Sequence, residues 1–111
     1  MIYTSYFASR KYDPEQSVSI ARWAPRGYQG ASIPDLYPPA DLLRDYKSGA
    51  VDQKEYEQIY RERVLSRLNP DTVAKRLDGL VLLCYEKSGS FCHRHIVAAW
   101  LREHGYQCEE L

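Results

Sequence analysis

The stretch LVLLCYEKSGSFCHRHIVAAWL, residues 80–101, limits what this chain can fold into more than any other. Its continuous apolar run to Tyr85 reads as a strand covered on both faces, as strands of parallel sheets are. A tight polar loop follows over 87–90, with Ser90 placed to cap the next helix. Phe91 then opens that helix, which carries Cys92, His93, Arg94 and His95 in its first turn and buries Ile96, Val97, Trp100 and Leu101. His104 and Gly105 mark its end, and 106–110 reads as a short last strand. Strand, helix and strand at this spacing make a βαβ unit, whose crossover is parallel and right-handed.

The N-terminal part adds to the sheet. IYTSYF, residues 2–7, is dense in β-formers, and SVSIARW, 17–23, alternates Val18 and Ile20 with serines as a half-buried strand does. Residues 24–39 hold four of the six prolines and read as an irregular loop fastened by Ile33, Leu36 and Tyr37, with Arg22, Arg26 and Tyr28 placed to border a pocket. Three helices are expected next. The first covers 39–47 and ends at Gly49. The second starts from Asp52, whose spacing to Glu55 is that of a capping box, and runs to about Leu68; the third follows Asn69–Pro70 and ends at Gly79. The predicted fold is therefore α/β: a small Rossmann-like three-layer domain over 1–111, with a mostly parallel sheet of about four strands and helices on both faces.

Composition narrows the function. Fifteen basic residues balance fifteen acidic ones, so bulk electrostatics gives no grip on nucleic acid, and Arg61, Arg63, Arg67, Lys75 and Arg76 read as a solvated face. Apolar runs are far shorter than a membrane span, and three cysteines without paired spacing suggest reduced thiols in a cytoplasmic protein. Cys84, Cys92, His93, His95 and Cys108 are all zinc-ligand types, but their spacing fits no common zinc pattern, so no metal is expected. In parallel sheets the strand ends and helix starts share one rim, where ligands bind. Amides at a helix N-terminus attract anions, and an arginine fork suits phosphate. The expectation is a small anionic ligand held by Arg94, Phe91, Ser90 and Arg22. Cys92 is the candidate nucleophile, with Glu86 and His93 beside it for acid–base work. The alternative is a protein or nucleic-acid interaction module in which the motif only fastens the last βαβ unit. No cofactor is indicated, and the residues leave open whether the chain is an enzyme.

Leu82, Leu83, Cys84 and Glu86, followed by Cys92, His93 and Arg94, resemble the LLCxE…CHR signature of the Domain of Unknown Function 488 family. The resemblance extends to Tyr3, Thr4, Ser5 and Tyr6, against a YTIG-like stretch, and to Arg22 and Pro25, against a DVRxxP element. It implies a Rossmann-like domain and an association with nucleotide or nucleic-acid processing in bacteria and their phages. Two positions depart from the family pattern. Ile20 stands where that element is acidic, and Tyr6 replaces the glycine after the first strand. Any proton transfer assigned to the acidic residue is therefore missing here.

Overall fold

A computed structural model describes residues 1–86 and 91–111. Five strands, β1 (Ile2–Tyr6), β2 (Ser17–Ser19), β3 (Ala31–Ser32), β4 (Val81–Cys84) and β5 (Cys108–Glu110), form one all-parallel sheet in the order β3-β2-β4-β1-β5. Four α-helices join it: α1 (Ala40–Lys47), α2 (Gln53–Arg63), α3 (Pro70–Leu77) and α4 (His93–Glu103). The fold is α/β and Rossmann-like, with one strand more than expected. The two-residue β3 lies inside the stretch read as loop and pairs with β2 at the sheet edge.

The register sorts the side chains. Thr4, Leu82 and Val18 share one face, which Tyr6 and Cys84 continue toward the strand ends, and Glu110 stands beside Thr4 on the other side. All four α-helices gather on this face around a core that includes Ile2, Val18, Ile20, Leu82, Tyr60, Leu77, Val97 and Leu101. Each fully buried aliphatic chain there contributes about 1.5–3 kcal/mol. The opposite face, with Ser5, Ser17, Ser19 and Leu83, is also buried. Its cover is not α-helical. The connections after β1 and β2 supply it, with a 3-10 turn (Pro14–Gln16) and an aromatic group in which Phe7 lies 5.3 Å from Tyr28 and 5.1 Å from Tyr85. The third layer is thus made of connections, because the leftward crossovers from β1 and β2 are too short to hold helices.

β2 corrects the half-buried expectation: Ser17 through Ala21 are all buried, since the strand lies inside the sheet with a layer on each face. The capping box at Asp52 and Glu55 forms as expected, as does the Asn69 cap on α3. Gly49 closes the α1 corner at φ +84°, a conformation costly for any residue with a Cβ. The second helix stops short of Leu68, tightening into a 3-10 turn (Leu65–Arg67) once Val64 leaves helical geometry. Among the described residues no helix is long and apolar enough to cross a membrane.

Candidate functional site

The strand order marks where a sheet of this kind would open a ligand crevice. β2 continues toward β3 at one edge while β4 continues toward β5 at the other, so the chain leaves these adjacent strands in opposite directions. Open α/β sheets hold ligands outside the carboxyl ends of such a pair. Ile20, Ala21, Arg22 and Trp23 follow β2, and Tyr85 and Glu86 follow β4.

Two hydrogen bonds tie these ends together. On the helical side His93 Nε2 lies 2.7 Å from the Ile20 carbonyl oxygen. On the other side the Tyr85 hydroxyl donates to the Trp23 carbonyl. A carbonyl only accepts, so Nε2 carries the His93 proton. Burial holds this imidazole pKa down to about 4, with the positive charges of Arg94 and His95 adding to the depression against the opposing Ile20 hydrogen bond. His93 is therefore neutral, and its Nδ1 lone pair faces Cys92 Sγ at 3.8 Å. Only once freed from its bond to Cys84 would this sulfur, with a nearby proton acceptor itself oriented by a third group, have the makings of thiol chemistry.

Cys92 caps α4 in extended geometry (φ −156°, ψ 151°), and the helix begins at His93, two residues later than expected. The capping role assigned to Ser90 falls on a residue outside those described. Phe91 does not open the helix. Its ring packs 5.2 Å from both Tyr46 and Tyr56, wedging the turn against α1 and α2. Cys84, at the end of β4, is bonded to Cys92, and the two Cα atoms stand 7.1 Å apart. That pairing corrects the expectation of reduced thiols; Cys108 alone is free, and burial raises its pKa. The sulfurs of Cys84 and Cys92 and a His93 ring nitrogen all lie within 4.8 Å of one another, a convergence that spacing along the chain did not suggest.

Arg94 is corrected most. The side chain expected to reach for an anion is fully buried, and Glu110 grips it with two carboxylate contacts, 3.0 Å to Nε and 2.8 Å to Nη2. Its Nη1 donates to the Glu86 carbonyl at 2.5 Å and to Cys84 Sγ at 3.1 Å. Glu110 also accepts from the Thr4 hydroxyl at 2.5 Å. The guanidinium binds two strands and a loop to α4, and its charge is already matched within the protein. Glu110 was missed in the sequence, although the alternation Cys108, Glu109, Glu110 turns its acid toward the helical face beside Thr4.

The remaining predicted residues sit on the rim without joining the buried cluster. Glu86 is exposed, so its carboxylate faces water while its carbonyl holds Arg94. Arg22 is exposed as well; its Nε donates to the Pro38 carbonyl at 2.9 Å and its guanidinium lies 5.9 Å over the Tyr37 ring. Both terminal nitrogens of Arg22 lack a partner among the described residues. Two open concavities of about 600 Å³ each lie elsewhere, one along β5 between Arg102 and Glu110, the other among Tyr12, Ser17, Tyr28 and Gly30. Neither lies at the carboxyl ends of β2 and β4, where the strand order puts the candidate site.

A family model for DUF488-N3a, described as the active DUF488-N3 subclade, matches residues 2–105. No curated protein and no solved structure matches the chain.

Proposed function

Since this chain belongs to the DUF488 family, within the subclade described as active, we propose that it binds a small anionic ligand of the nucleotide or phosphate class in the crevice between β2 and β4. The observation that carries this reading is what borders the crevice. Trp23 is 63% exposed and Tyr85 51% exposed, two aromatic faces at the ends of adjacent strands, and the two terminal nitrogens of Arg22 beside them have no partner among the described residues. Aromatic faces stack on bases, and a guanidinium fork suits phosphate. Arg22 takes the anion-binding role first given to Arg94. Reduction of the Cys84–Cys92 bond would free the Cys92 sulfur beside His93 behind the rim, and Glu86 offers an acid–base group from the solvent side.

Titration calorimetry against nucleoside mono-, di- and triphosphates and inorganic phosphate tests the reading. At least one should bind, and Trp23→Ala and Arg22→Ala should each weaken it while the circular dichroism spectrum stays unchanged. If the folded protein binds none of them, the ligand reading is wrong. The sealed Arg94 favours a second reading, an interaction module in which the CHR residues are structural. That reading predicts no nucleotide binding, together with partner capture that depends on residues 24–39.

A further inference from the structure

We propose that Cys84, Cys92 and His93 together hold one thiophilic divalent cation, zinc by preference. The inference deepens the function proposed above only in what would occupy the ion's open position; the site itself stands on separate observations. The donors come from three rigid places: the end of β4, the cap of α4 and the first residue of that helix. Their ligand atoms all lie within 4.8 Å of one another, and once the Cys84–Cys92 bond is reduced and the sulfurs move apart, bonds of about 2.3 Å to sulfur and about 2.0 Å to nitrogen let one ion sit among them.

The surroundings suit such an ion. Histidines that bind metals usually donate their other N–H to a carbonyl or carboxylate. His93 already does so through Nε2 to Ile20, which leaves Nδ1 as the lone pair turned to the sulfurs. Arg94 Nη1 donates to Cys84 Sγ at 3.1 Å, and a charged donor favours thiolate there. The charges also close: two thiolates match one divalent ion, and Arg94 is matched by Glu110. Finally, the Cα atoms of Cys84 and Cys92 are 7.1 Å apart, wider than the roughly 4.4–6.8 Å usual for cysteines joined directly. The backbone is spaced for an atom between the sulfurs.

Loading needs the pair reduced. A dithiol gives two electrons and two protons to the Cys84–Cys92 bond and itself becomes a disulfide; the two new thiols then pass their protons to solvent as the ion binds. Three protein donors leave a fourth position for water or a ligand, the pattern of a catalytic rather than a closed structural site.

The test is cobalt spectroscopy and metal analysis on the full chain, reduced by dithiothreitol, freed of metal and freed of excess reductant without air. One equivalent of Co²⁺ should give sulfur-to-cobalt charge-transfer and tetrahedral d–d bands, which one equivalent of Zn²⁺ bleaches. Cys84→Ser, Cys92→Ser and His93→Ala should each lose or displace the bands, and Cys108→Ser should keep them. Two results would overturn the proposal: no cobalt bands from the reduced, folded wild-type chain, or bands that vanish in Cys108→Ser but persist in His93→Ala. Should a site variant fail to fold, the wild-type titration and Cys108→Ser still decide. Metal binding without nucleotide binding would remove the ligand reading and keep this one, and nucleotide binding without metal would do the reverse.

Discussion

Deleting the Glu110 carboxylate should damage the protein more than deleting the arginine it holds. Arg94 has no exposed surface, whereas the Glu110 side chain keeps 24% of its own. Glu110→Ala strands a guanidinium away from water with the Glu86 carbonyl and the Cys84 sulfur as its remaining acceptors among the described residues. Breaking a buried pair from one side costs about 3–5 kcal/mol, and water reaching the gap left by a partly exposed side chain puts the expectation near 3 kcal/mol. Arg94→Met leaves the acid in contact with water and the Thr4 hydroxyl, and the thioether chain refills the apolar volume, so roughly 1–2 kcal/mol is expected. The double variant Arg94→Met/Glu110→Leu removes both charges. It should lie closer to wild type than Glu110→Ala does, with a coupling of about 2 kcal/mol. Urea unfolding followed by circular dichroism, under reducing conditions for all four proteins, measures each term, provided the slopes agree. In heat the Glu110→Ala shift corresponds to roughly 12–24 °C for a domain of this size. A Glu110→Ala cost under about 1 kcal/mol, or an Arg94→Met cost larger than that of Glu110→Ala, would show that the pair is not the lock its geometry suggests.

Two further changes check the frame. Tyr60→Phe removes the buried hydroxyl that donates to the Leu36 carbonyl at 2.6 Å, leaving an acceptor unpaired for about 1–3 kcal/mol in the same unfolding assay. Asp52→Ala opens the capping box on α2 and should cost about 1 kcal/mol, while Asp52→Asn should recover most of it.

Signals confined to a few neighbouring residues were legible in the sequence. The capping box at Asp52 and Glu55, the Asn69–Pro70 helix start and the apolar run of β4 each depend on local hydrogen bonds or a short period, and each formed. Features that depend on the backbone meeting itself were not. Nothing in an isoleucine announces that its carbonyl will orient a histidine 73 residues later, yet the Ile20 carbonyl holds the His93 ring. The one-sided helical layer follows from the direction of each crossover, which composition does not encode. β3 is too short for any periodic signal. The convergence of Cys84 with Cys92 depends on how β4 and the start of α4 meet in space, so eight residues of separation gave no zinc pattern. Glu110 left a weak trace, an acid at an inward position of a strand, which needs a cation or water to be tolerated.

The place of β1 in the sheet has a consequence for how the chain acquires its shape. Both of its neighbours, β4 and β5, lie in the last third of the sequence. A ribosome that has made the first seventy residues has thus released a strand with neither flank yet available. Such long-range pairing places the chain toward the slow end of folding rates for its length. Until Val81–Cys84 and Cys108–Glu110 have been made, the unpaired edges of IYTSY are exposed to capture by another copy or by a chaperone.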